Sequence, residues 1–236
     1  MLAKLRREIN QFTNREKAVI LAGFFKTGKG EYGEGDIFAG LTVPQSRVLA
    51  KKYRNLSFGE IRELLRSKIH EERLIALLIL VDNFKLGSIM GKKKIVDFYL
   101  KNTKFVNNWD LVDLSADKIV GDYLIGRDKS ALLRLANSKN LWERRIAIIA
   151  TYQFIKVKKE FDWTFKIAEV LLSDKHDLIH KAVGWMLREV GKRNQEAEEK
   201  FLSKFYKIMP RTTLRYAIER FGPEKREFYM KKENIR

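Results

Sequence analysis

The chain of 236 residues has no cysteine, only 3 prolines and only 3 histidines. The missing thiols exclude disulfides and thiolate metal sites, and they fit a reducing compartment. With so few imidazoles and no thiol partners, a zinc site is not expected, and neither is any other metal or cofactor. The longest apolar run, Leu74 to Val81, is far too short to span a bilayer. The start, Met1 to Ile9, is charged throughout and lacks the apolar centre of a signal peptide. The expectation is a soluble, cytoplasmic protein with no membrane association. Strand-like alternation is also scarce, which argues for helices.

What the chain has in excess is positive charge. Lys and Arg number 48 against 30 Asp and Glu, a net charge of +18. Such a field favours polyanions. The charge is spread along the chain, not gathered on one amphipathic segment, so a nucleic acid is preferred over an anionic membrane. Basic groups recur at Lys51-Lys52, Lys92-Lys93-Lys94, Lys156/Lys158/Lys159, Lys192-Arg193, and Lys207, Arg211 and Arg215. Any one of them reads as a solvated face; the excess tilts the set. Arg47 after Pro44 and Arg211 after Pro210 stand where helix N-termini would add phosphate-binding N–H groups.

Periodicity predicts about a dozen helices: one helical stretch over 2–25, then, past a glycine-rich irregular segment at 26–43, helices near 70–86, 89–101, 108–124, 128–137, 140–157, 160–173, 176–193, 195–208, 210–221 and 223–233. Pro44 opens a helix, and Ser57 with Glu60 forms a capping box for the next. Glu72-Arg73-Leu74-Ile75-Ala76-Leu77, Glu143-Arg144-Arg145-Ile146-Ala147-Ile148 and Ile179-His180-Lys181-Ala182-Val183-Gly184-Trp185 each turn from polar to apolar at a helix start. Their loose period of paired helices predicts an all-α fold: a single domain over 1–236, a superhelical solenoid of HEAT-like repeats with a concave basic surface, closed by a terminal helix or tail at 223–236. Gly28-x-Gly30-x-x-Gly33 matches a dinucleotide fingerprint by letters only, because no strand precedes it.

Asn107-Asn108-Trp109-Asp110-Leu111-Val112-Asp113 is the most informative segment. On a helix Trp109 and Asp113 share a face. An indole plate beside a carboxylate can pack on a sugar and stabilise a developing cation. Read without further context, the pair is a core tryptophan and a solvated or capping aspartate.

Four stretches together resemble the AlkD family of DNA alkylation-repair glycosylases. They are Asp36-Ile37-Phe38-Ala39-Gly40-Leu41-Thr42-Val43-Pro44-Gln45-Ser46-Arg47, Asn108-Trp109-Asp110-Leu111-Val112-Asp113, Trp142-Glu143-Arg144-Arg145-Ile146-Ala147-Ile148 and Lys181-Ala182-Val183-Gly184-Trp185-Met186-Leu187-Arg188-Glu189. The resemblance implies release of cationic N3- and N7-alkylpurines from duplex DNA by hydrolysis of the N-glycosidic bond. It implies that Asp113 is the catalytic carboxylate and that Trp109 and Trp185 pack on the lesion's deoxyribose. Arg145 would hold a backbone phosphate, with Arg144 as the neighbouring alternative. Arg188 and Lys181 of the same segment as Trp185 join the DNA-contacting set with Arg47, Arg211 and Arg215. The chain departs from some members at Ala39, where they carry an aromatic residue that approaches DNA. A monomer is the default for a solenoid wrapping duplex, nucleoid-associated when bound. The competing readings are a helical-repeat protein that binds damaged or branched duplex without cleaving it, and a protein–protein scaffold. Trp142 and Trp163 are expected in the core, Asp36 and Phe38 as supports of the glycine-rich loop, and the three histidines are given no catalytic role.

Overall fold

The computed structural model describes residues 1–231, which form two compact units, Met1–Ser115 and Ala116 onward. Both are all-α; among the described residues the sole β pairing is an isolated parallel bridge between Ile37 and Ile69. No helix is long and apolar enough to cross a membrane among the described residues.

The first unit contains α1 (Leu2–Gln11), α2 (Arg15–Phe24), α3 (Val43–Lys52), α4 (Phe58–Leu65), α5 (His70–Leu86), α6 (Ile89–Lys101) and α7 (Trp109–Asp113). The single periodic stretch expected over 2–25 is two helices. Asn14 divides them by accepting the Lys17 N–H on its side chain at 2.9 Å, so a capping residue overrides continuous periodicity. Capping boxes start α3 (Thr42 with Gln45) and α4 (Ser57 with Glu60), the second as expected from sequence. Helix α5 is the centre of the unit and packs on α3, α4, α6 and α7. It is buried on nearly every side, as a helix without a single apolar stripe must be. Even its opening residues His70, Glu71, Glu72 and Arg73 are buried, so each needs a partner.

The second unit contains α8 (Asp122–Leu124), α9 (Ser130–Ala136), α10 (Leu141–Ala150), α11 (Asp162–Leu171), α12 (Asp177–Gly191), α13 (Gln195–Phe205), α14 (Arg211–Ala217) and α15 (Pro223–Met230). Successive helix pairs stack: α9 on α10, α11 on α12, and the second helices α10, α12 and α14 lie side by side. The three polar-to-apolar segments noted in the sequence open α5, α10 and α12, equivalent positions in the repeating pairs.

Further expected boundaries differ. The helix predicted at 108–124 is interrupted: α7 ends at Asp113, and Asp117–Gly121 is a wide π turn. The Ser115 hydroxyl donates to the Leu111 carbonyl at 2.6 Å, a local bond that competes with helix continuation. The helix predicted at 140–157 stops at Ala150, followed by a π turn at Phe154–Lys158 that left-handed Lys159 (φ 54°) terminates. The terminal helix ends at Met230; residues 232–236 of the predicted tail lie outside the described residues.

Candidate functional site

In the first unit, Trp109 is the first residue of α7 and Asp113 its last. Both are half-buried and line one cavity of about 480 Å³ together with Ile20, Phe24, Phe25, Phe38 and Leu74. The Trp109 indole stacks on Phe25 (5.1 Å between centroids, 18° between planes) and meets the edge of Phe24 at 5.9 Å. A predominantly apolar wall thus carries the Asp113 carboxylate at its border.

Helix α7 has only five residues, too few to hold itself by its own hydrogen bonds. Side chains fix it instead. Asn108 accepts the Trp109 N–H at 2.8 Å and donates to Asp36 at 3.3 Å. Asp110 accepts the Leu111 N–H at 2.8 Å with one oxygen and lies 2.8 Å from His70 Nε2 with the other. Nδ1 of His70 faces Asp36 at 3.3 Å, and Arg73 pairs with the same Asp36 oxygen at 2.6 Å. Burial opposes a charge on His70, but the bonds from Asp110 and Asp36 outweigh it and raise the imidazole pKa above its ordinary 6.5. Burial likewise opposes ionisation of Asp36, and His70 with Arg73 outweighs that and lowers its pKa. Phe38 stacks on the His70 ring at 4.6 Å, and Phe25 lies 5.1 Å from it.

Asp36 and Phe38, expected as supports of the glycine-rich loop, tie that loop to the start of α5, Asp36 through His70 and Arg73 and Phe38 through the His70 ring. The cluster of His70, Arg73 and Asp110 was not expected from the sequence. The signal was present as a basic His-x-x-Arg pair opening an apolar helix and an aspartate directly after Trp109. Ala39, the departure from the family pattern, is 8% exposed and donates its N–H to Glu71 at 2.9 Å. Arg47 is exposed on α3.

In the second unit, Trp185 is half-buried on α12 with the Tyr152 ring 6.2 Å away. Arg145 is 5% exposed on α10 and donates to the Leu178 carbonyl. Arg144 pairs with Asp174 at 2.6 Å and donates to the carbonyls of Ser138 and Lys139. Arg188 pairs with Glu219, and Lys181 with Asp177 at 2.6 Å. Arg211 donates to the Met230 carbonyl at 3.0 Å, and Arg215 is exposed on α14. Trp142 is buried as expected, whereas Trp163 is half-buried under the Lys166 ammonium. His176 and His180 stand four residues apart, a spacing that zinc sites use, but their ring nitrogens serve the backbone. Nδ1 of His176 accepts the Leu178 N–H, and Nε2 of His180 meets the Asp174 carbonyl. Among the described residues no cluster of His, Asp and Glu is arranged to hold a metal ion.

The chain is similar to a protein described as a predicted DNA alkylation repair enzyme from Enterococcus faecalis. They share 18% identity and superpose with a TM-score of 0.68 over 89% of this chain and 97% of that one. It is also similar to smu.31 from Streptococcus mutans UA159, at 17% identity and a TM-score of 0.52 over 92% and 95% of the two chains. These likenesses share the helical-repeat fold. Among curated proteins none matches the chain significantly. The model of the family described as DNA alkylation repair enzyme matches residues 5–221, and the chain therefore belongs to the DNA alkylation repair enzyme family.

Proposed function

We propose that this repair enzyme is an alkylpurine DNA N-glycosylase acting on duplex DNA. The observation that carries the reading is the placement of Trp109 and Asp113 on the wall of one apolar cavity. Alkylation at N3 or N7 makes the purine cationic, so the base departs as a neutral molecule and needs little or no general acid. What requires stabilisation is positive charge developing on the deoxyribose, together with a water placed to attack C1′. A single carboxylate, Asp113, does both. Glycoside hydrolases use two carboxylates because their leaving groups are not activated in advance. The Trp109 indole face supplies a further ~0.5–2 kcal/mol of cation–π stabilisation to the oxocarbenium-like transition state.

The second unit supplies contacts to the duplex. Trp185 is assigned to the lesion's sugar, Arg145 to a backbone phosphate, and Lys181, Arg188, Arg211 and Arg215 to the surrounding backbone. Specificity in this reading comes from the lability of the cationic lesion, not from reading base edges.

The test is release of 7-methylguanine from methylated duplex by the wild type and by Asp113→Asn. Release that collapses in the variant while duplex affinity stays within about twofold supports the reading. Equal rates reject Asp113 as the carboxylate. Duplex binding with no release by either selects non-catalytic recognition of damaged DNA.

A further inference from the structure

We infer that His70 is a positioning residue for the reaction centre: bolted between Asp36 of the glycine-rich loop and Asp110 of α7, it sets the placement of Trp109 and Asp113. The inference rests on the glycosylase reading for its activity readout only; the geometry stands by itself.

Two independent ties lead from the His70 ring to α7. One is polar. Nε2 lies 2.8 Å from Asp110, the residue next to Trp109 and one helical turn before Asp113. The other is a stack of rings, in which His70 lies against Phe25 and Phe25 lies face to face with Trp109. The opposite side of the imidazole is anchored through Asp36, which Arg73 clamps to α5 at 2.6 Å. The loop that carries Asp36 is itself fixed to the start of α5. His70 donates its N–H to the Ile37 carbonyl at 2.8 Å, Ile37 donates to Lys68 at 3.0 Å, and Glu71 accepts three successive loop N–H groups. The imidazole therefore joins a rigid body to a five-residue helix that lacks the length to orient itself.

The charges facing the ring are Asp36 from the loop, Asp110 from α7 and Arg73 from its own helix. Two carboxylates against one guanidinium favour the imidazolium, which donates from both nitrogens at once; a neutral ring can donate from only one. Buried pairs of this kind hold geometry well, because any other arrangement leaves a charge without a partner.

The experiment compares wild type, His70→Gln, Asp110→Asn and the double variant. Folding is checked by far-UV circular dichroism. Single-turnover release of 7-methylguanine and duplex Kd are measured, and the Trp109 indole N–H resonance is followed by NMR, assigned by its loss in Trp109→Phe. The expected result is that each single variant slows release about 10- to 100-fold with Kd within about twofold. The double variant should be no slower than the worse single one, and the Trp109 resonance should shift or broaden in all three. A merely structural role would lower stability without moving that resonance in the folded state. If His70→Gln does not fold, Asp110→Asn keeps the shape of the pair and decides. Folded variants with an unmoved Trp109 resonance overturn the inference, as do losses that multiply. If the wild type releases no base, the glycosylase reading fails separately, and the Trp109 resonance alone decides the positioning role.

Discussion

Glu71 accepts the backbone N–H of Gly40 at 2.8 Å, and the same carboxylate takes the N–H groups of Ala39 and Leu41. A buried acid thus replaces the sheet or helix partner that this irregular segment lacks. Removing it as Glu71→Ala strands three buried donors and should cost about 3–5 kcal/mol, whereas Glu71→Gln keeps one acceptor oxygen and should cost about half as much. Gly40 itself sits at φ +88°, and a Cβ there would collide with the Asn14 carbonyl, so Gly40→Ala should also destabilise. Urea unfolding checks all three; a loss below about 1 kcal/mol for Glu71→Ala would remove the clamp from the account.

Part of this architecture was legible in the sequence. The all-α class, the helix starts at His70, Ile89 and Pro223, and the Ser57–Glu60 capping box all follow from periodicity and side-chain caps that act within a few residues. The pairing of Trp109 with Asp113 on one short helix followed from their spacing. Three things did not follow. Asn14 and Ser115 break helices through single side-chain bonds that periodicity averages away. The π turns after Ala116 and Gln153 keep the composition of a helix while widening it. The Asp36–His70–Asp110 cluster joins residues 34 and 40 positions apart, and only the folded chain brings them together.

The basic residues of the second unit differ in what their loss should reveal. Lys181 and Arg215 reach solvent, so Lys181→Ala and Arg215→Ala should lower duplex affinity with little change in stability. Each phosphate contact removed should reduce the slope of log K against log salt by about one. Arg145 is buried and holds the Leu178 carbonyl, so Arg145→Ala should reduce both the salt slope and the unfolding midpoint. Fluorescence anisotropy across a salt series, alongside thermal melts, separates the two effects. An unchanged slope in Arg145→Ala would withdraw its phosphate contact.

Glu198 is 1% exposed on α13 against Gly191, where it occupies the space a side chain would need. Burial, aided by the charge of Glu199 and opposed by Arg188, pushes its carboxyl up to about 9 from an ordinary 4.5. Its contribution to stability is therefore full below about 4.5 and falls as pH rises toward about 9, by about 1.4 kcal/mol per pH unit. Glu198→Gln removes this slope and should be more stable than wild type at pH 8 while matching it near pH 5. Thermal melts at the two pH values decide it; a variant that is less stable at both would show that Glu198 is ionised and paired.

His70 supplies a pH dependence of the same sign for a different reason. Desolvation alone would depress its pKa, yet the carboxylates of Asp110 and Asp36 raise it above 6.5. A cation stabilised in the folded state contributes fully below the unfolded value and is lost as pH climbs through the folded one. The tie between the loop and α7 should thus persist at neutral pH and weaken only on the alkaline side, taking the excision rate down with it. In Asp110→Asn one of the two carboxylates is gone, so the imidazole should titrate lower and the alkaline fall in rate should begin earlier. Histidine ring resonances followed through a pH series give the wild-type and variant values directly. A wild-type His70 that loses its proton at or below 6.5 would mean that burial wins over the two aspartates, and the imidazole would then join the loop to α7 through a single donated hydrogen bond.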